Sequence, residues 1–164
     1  MQIPTRSGRA ARARSAPSSA NVRPMTWPAP AVFIVRTFAE LGALCARAAR
    51  PERIGICIDT CHLFAAGYDV RHAPGYRQAI GECGEAVGFA RVLAFHLNDA
   101  KAPLGSGLDR HEHIGRGHLG LAPFARLLTD RRFRRVPKVL ETPKEPEPAA
   151  DRRNLALLRS LRRR

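Results

Sequence analysis

Three short apolar runs, each ending in a carboxylate or an imidazole, govern what this sequence can fold into. "RIGICID" (53–59) closes on Asp59, with His62 three residues further on. "VLAFHLND" (92–99) carries His96 near its end, and "PKVLETP" (137–143) carries Glu141 near its end. Continuous runs of this length, bounded by polar residues and rich in Ile, Val and Leu, predict strands buried on both faces. Segments of helical spacing separate them. In "TFAELGALCARAA" (37–49), Phe38, Leu41, Leu44, Cys45 and Ala48 share one face, Thr37 and Glu40 make a capping box, and Pro51 stops the helix. Around Tyr76–Arg91 a stripe of Ala79, Cys83, Ala86 and Ala90 predicts a second helix, weakened by glycines. "LAPFARLLTD" (121–130) predicts a third, and "DRRNLALLRSL" (151–161) a fourth, capped by Asp151.

The resulting order is α-β-α-β-α-β-α, with long polar loops after the first two strands. Strands alternating with helices imply a parallel α/β sheet joined by right-handed crossovers. Asp59, His96 and Glu141 then all lie at the C-terminal ends of their strands, the face on which a parallel barrel builds its active site. Three strands cannot close a barrel. The expectation is an incomplete one, part of something larger.

The chemistry concentrates in the same places. "HLNDAKAPLGSGLDRHEHIG" (96–115) packs His96, Asp109, His111 and His113 into one loop, although lysine and glutamate would solvate a loop equally well. Asp59, His62, His96, Asp109, His111 and Glu141 are all oxygen or imidazole donors, which divalent zinc takes at about 2.0–2.2 Å. A donor set without cysteine points to a catalytic rather than a structural metal. Six donors exceed what one tetrahedral ion needs, so a cluster is implied, and clusters suit phosphate esters. Taken singly, each carboxylate also reads as a helix cap or an ion-pair partner. His113 and His118 are read as solvating the loop or touching substrate, and His72 as an ordinary loop residue.

Charge narrows the partner. The net charge is +14, nearly all from arginine, since Lys101, Lys138 and Lys144 are the only lysines. Such a balance favours a polyanion and speaks to association rather than fold. Residues 1–39 hold six arginines and no acid; "RRFRR" (131–135) and "RRR" (162–164) read as solvated helix ends. Residues 1–30 have no helical or strand period, and the stretch 1–34 is expected to be a disordered basic segment. Prolines interrupt any amphipathic helix there, which disfavours an organellar transit peptide and leaves a cytoplasmic, nucleoid-associated protein as the expectation. Cys45, Cys57, Cys61 and Cys83 fit no disulfide framework or zinc-finger spacing and are read as small buried hydrophobes. No apolar run approaches the length of a membrane span.

With those residues in hand, "RIGICIDTCHLFAAGYDVR", "FHLNDAKAPLGSGLDRHEHIGRGHLG" and "VLETP" resemble, in order and spacing, signature blocks of the endonuclease IV family of zinc-dependent apurinic/apyrimidinic endonucleases. The resemblance runs from about residue 36 to the end, so the domain is placed at 35–164, with 1–34 outside the family pattern. It implies the C-terminal part of a xylose-isomerase-like TIM (β/α)8 barrel. It also implies hydrolysis of the DNA phosphodiester 5′ of an abasic site in base excision repair, leaving a 3′ hydroxyl, on double-stranded DNA with the damaged nucleotide extruded. The family holds up to three zinc ions. By the resemblance, His62, Asp109 and His111 serve one, while Asp59, His96 and Glu141 serve a second, with Glu141 and Asp59 as the catalytic carboxylates. The remaining family ligands have no counterpart in residues 1–39, which contain neither His nor Glu. The expectation is therefore a truncated or out-of-frame-started chain. Arg71, Lys101, Arg110 and Arg116 in the two donor loops are candidate phosphate contacts. No membrane and no obligate protein partner is implied. Two other classes stay open: a sugar isomerase or epimerase on the same fold, and a non-catalytic remnant that binds zinc or DNA.

Overall fold

The computed structural model describes residues 37–144 and 149–162; the stretch 1–34 lies outside them. Helix α1 (Phe38–Arg47) starts from the expected capping box: Thr37 Oγ1 accepts from the Glu40 amide at 3.1 Å, and the Thr37 amide donates to Glu40 Oε2 at 3.2 Å. It buries Phe38 and Cys45, but Leu44, expected on the same face, is exposed. A single turn of 3-10 helix at Pro51–Arg53 leads into strand β1 (Ile56–Asp59). The first predicted strand is thus shorter than 53–59, because Pro51 fixes a turn where the apolar run begins.

Directly after β1, where the sequence predicts a polar loop, comes a short helix, α2 (Thr60–Ala65). Helix α3 (Ala73–Ala86) begins three residues before Tyr76, with Pro74 in its first turn, and buries Tyr76, Ala79, Ile80 and Cys83. It ends well before Arg91 because Gly88 takes φ +81°, leaving Ala90 in a 3-10 turn instead of the helical stripe. At Gly42, α1 approaches α3 so closely that a Cβ would lie 2.5 Å from the Ala86 carbonyl oxygen.

Strand β2 (Val92–Leu97) pairs in parallel with β1 and with β5 (Lys138–Leu140), in the order β1-β2-β5. The register sets Asp59 beside His96, and His96 beside Val139. Between β2 and β5 lie a two-residue antiparallel ladder and helix α4 (Ala122–Thr129). The ladder joins β3 (Asp99–Ala100) to β4 (His111–Glu112) and had no sequence signature. Helix α5 (Ala149–Leu161) includes Asp151 in its first turn, so Asp151 is not the cap; its carboxylate instead meets Lys144 Nζ at 2.8 Å.

The strands are buried on one face, not two. Ile58, Phe95 and Leu97 enter a core with Phe64, Ile80, Phe124 and Phe133, and Phe95 meets Phe133 edge-on at 5.0 Å between centroids. The opposite face carries Cys57, Asp59, His96 and Val139, of which Cys57 and Val139 are exposed. Cys57 therefore departs from the expected buried set, whereas Cys45, Cys61 and Cys83 keep to it. Among the described residues the three parallel strands form an open sheet flanked by helices, a segment of a barrel wall.

Candidate metal centre

Two turns of chain decide where Asp59 points. It ends β1 and caps α2, its Oδ1 accepting from the Cys61 amide at 2.7 Å and from the His62 amide at 3.3 Å. That is the ordinary role of an aspartate before a helix. Its second oxygen has a different environment: Oδ2 lies 3.7 Å from His96 Nδ1 and 3.8 Å from His111 Nε2. Cap and candidate ligand are one side chain using different oxygens.

His96, beside Asp59 in the register, has Nδ1 3.0 Å from Glu141 Oε2. Glu141 follows β5 immediately, and its side chain is 56 % exposed against 8 % for Asp59. One donor atom from each of Asp59, His96 and Glu141 lies within 4.8 Å of the others, so the ends of three adjacent strands can reach a single ion. The residues from the loops converge on a neighbouring point. Asp109 stands between His62 Nε2 and His111 Nε2, with an oxygen 2.9 Å from each. Asp59 with His62 and His111 forms another group within the same 4.8 Å limit.

His111 provides the sharpest test of whether a cation belongs there. Its Nδ1 lies 2.9 Å from the Glu141 carbonyl oxygen, which can only accept, so Nδ1 bears the proton. In the neutral ring Nε2 is then a lone pair, buried and, among the described residues, without a hydrogen-bond partner. Asp109 Oδ1 is close to it, but in no hydrogen-bonding alignment. A lone pair facing carboxylate oxygens is unfavourable unless a positive charge lies between them. The second ring nitrogen held by a carbonyl is also the usual way a metal-binding histidine is oriented. The donor set therefore fits a divalent ion.

The loop bearing His111 is fastened by residues whose buried role the sequence pattern does not reveal. Asp99 is fully buried; Oδ1 accepts from the Ala100 and Leu119 amides, both at 2.8 Å, and Oδ2 from the Gly115 amide at 2.9 Å. Asn154 on α5 accepts from the Ile114 amide and lies 3.1 Å from His113 Nδ1. His113 is thus tied to α5, while His118 is exposed and His72 precedes α3. Cys61, read from sequence only as a buried hydrophobe, is a further candidate donor: it groups with Asp109 and His111 within 4.8 Å. Its thiol points at the Arg110 carbonyl, and burial pushes it up to about 11, so it keeps its proton near neutrality. The adjacent "ND" of "HLND" was the available signal for a buried polar pair, but loop asparagines and aspartates look the same in sequence.

The four candidate phosphate contacts fall into two kinds. Arg71 grips Asp69 with two bonds, Nε to Oδ1 at 2.8 Å and Nη2 to Oδ2 at 2.9 Å, and lies over the Phe64 ring. Lys101 is 3.9 Å from Glu112, while Arg110 and Arg116 are exposed on the loop that holds Asp109 and His111.

Known proteins share this arrangement of chain. Residues 12–161 match the xylose isomerase-like TIM barrel family, a span that takes in residues 12–34 as well. A probable endonuclease 4 of Trichlorobacter lovleyi is 52 % identical over 126 residues, covering 77 % of this chain and 45 % of that protein. One from Chloroflexus aurantiacus is 54 % identical over 110 residues, covering 67 % and 39 %. The crystal structure of endonuclease IV from Thermus thermophilus superposes with a TM-score of 0.66 at 37 % identity, over 77 % of this chain and 44 % of that one. The chain spans less than half the length of these relatives. It belongs to the xylose isomerase-like TIM barrel family, on its endonuclease IV branch.

Proposed function

We propose that this chain supplies ligands and catalytic carboxylates for zinc-dependent hydrolysis of the DNA phosphodiester 5′ of an abasic site. The observation that carries the reading is the meeting of Asp59, His96 and Glu141 at the ends of three neighbouring strands, within reach of one ion. The names of the relatives, endonuclease 4 and endonuclease IV, point to a nuclease and away from a sugar isomerase. Asp59, His96 and Glu141 would hold one zinc ion, and His62, Asp109 and His111 a second. Bound there, zinc supplies Lewis acidity toward phosphate oxygens and makes water more acidic.

The protein groups divide the remaining work by exposure. Asp59, buried and fixed by its cap bonds, orients; Glu141, half in solvent, is placed to take the proton of the attacking water. The water oxygen forms a bond to phosphorus as the bond to the 3′ oxygen breaks; that oxygen takes a proton from solvent and leaves as the 3′ hydroxyl, while Glu141 returns the proton it accepted to solvent. His111, with Nδ1 held by the Glu141 carbonyl, cannot turn away from the site. Arg110 and Arg116 approach the flanking phosphates, which adds affinity without sequence preference. Arg71 is committed to Asp69 and contributes to the loop instead.

The test is incision of a duplex carrying one abasic site, with zinc, by the chain and by Glu141→Gln. Nicking by the parent, lowered by about two orders of magnitude or more in the variant, is expected on loss of a general base. Equal nicking by both, or turnover of a sugar without nicking, overturns the reading.

A further inference from the structure

We infer that Asn98 is the positioning residue of this centre: its one buried amide joins the ends of all three parallel strands and holds Asp59 Oδ2 toward the donors. The inference rests on the reading that the centre takes a divalent ion. Asn98 follows β2 directly and is fully buried. Its Nδ2 donates to Asp59 Oδ2 at 2.7 Å, reaching the end of β1. Its Oδ1 accepts from the Glu141 amide at 3.1 Å, reaching the end of β5. The Asn98 backbone is clamped as well: its amide donates to Thr60 Oγ1 at 2.8 Å, and the same hydroxyl donates to the Asn98 carbonyl at 2.7 Å.

The partners fix which end of the amide is which. An ionised carboxylate only accepts and a backbone N–H only donates, so Nδ2 must face Asp59 and Oδ1 must face Glu141. No other side chain of this length offers a donor on one side and an acceptor on the other. Aspartate would set two carboxylates against each other, and leucine would satisfy neither partner. The oxygen that Asn98 holds is the one 3.7 Å from His96 Nδ1 and 3.8 Å from His111 Nε2, not the one that caps α2. The Glu141 amide that it fixes belongs to the residue whose carbonyl orients His111. Four of the six candidate donors, Asp59, His96, Glu141 and His111, thus depend on the strand ends that this amide ties together.

Groups in this relation to a metal ligand typically change metal affinity about 10–100-fold when removed. The experiment titrates the full chain with Co2+, whose visible absorption bands report donor geometry. It compares the parent with Asn98→Ala and with Tyr76→Phe, which removes a buried hydroxyl bonded to Asp130 away from the centre. Asn98→Ala is expected to bind Co2+ about 10–100-fold more weakly, with altered band shape. Tyr76→Phe is expected to melt at a lower temperature with affinity and bands unchanged. A folded Asn98→Ala with parental affinity and bands overturns the inference. If Asn98→Ala does not fold, nitrogen-15 NMR of the parent decides. The Asn98 side-chain amide is expected to be slow to exchange and to shift when Zn2+ is added; an amide that stays put as Zn2+ binds overturns the inference. A parent that binds neither ion defeats the proposed function itself, and this inference falls with it.

Discussion

Asp99 makes a prediction whose size can be worked from its three bonds. The carboxylate is fully buried and accepts from the amides of Ala100, Leu119 and Gly115. Hydrogen bonds to a charged group contribute about 1.5–3 kcal/mol each, and a buried donor left without a partner costs about as much. In the variant Asp99→Asn, the new side-chain carbonyl can sit at the Oδ1 position and so retain the Ala100 and Leu119 amides. The new NH2 must then face the Gly115 N–H, donor against donor. Gly115 lies on the surface, so water takes over that amide and holds the loss near the bottom of the range, about 1.5 kcal/mol. Asp99→Ala abandons all three amides, two of which serve buried residues, and at the bottom of the same range for each should cost about 4.5 kcal/mol. Urea denaturation gives both values, and hydrogen exchange locates them: Gly115 loses protection in Asp99→Asn while Leu119 keeps it, and both lose it in Asp99→Ala. Equal losses in the two variants, or an unchanged Gly115 rate in Asp99→Asn, would refute the reasoning.

Two further outcomes are expected. Phe95→Ala removes a fully buried ring that meets Phe133 edge-on and should lower unfolding free energy by about 3–5 kcal/mol, read from denaturant midpoints at constant slope. The Arg71 guanidinium holds the Asp69 carboxyl down at about 2, below its ordinary 3.8. A depressed carboxyl contributes stability that is full above 3.8 and fades as the pH falls toward 2. Arg71→Ala should return Asp69 to the ordinary range in a carbon-13 NMR titration, and should flatten the acid limb of the stability profile between those values.

The alternation of helices and parallel strands was legible because apolar runs and stripes of different period record which surfaces are buried. The candidate donors' place at the strand ends was legible for a related reason: His96 and Glu141 stand next to apolar residues, where a polar side chain needs a purpose. What those runs could not record is how many faces a neighbour covers. "ICID" reads the same whether Cys57 is covered or open, and the structure leaves it open. Helix α2 was hidden because its six residues are too few for a period and because its cap, Asp59, also reads as a ligand. The β3–β4 ladder is two residues long and is set by the loop's own closure. Asn98 and Asp99 were unreadable as organisers, since their importance lies in what they touch across 16 to 43 residues of chain.

The shared carboxylate of Asp59 has a consequence for how the candidate centre could hold an ion. With Oδ1 spent on the first turn of α2, this group can offer a cation one oxygen only, and it has no freedom to slide between one-point and two-point attachment. Glu141 is held less tightly, its side chain 56 % exposed with Oε2 3.0 Å from His96 Nδ1. Under the proposed function, any rearrangement of ligands around a bound ion would therefore fall on the β5 side, with the β1 side acting as the fixed jaw.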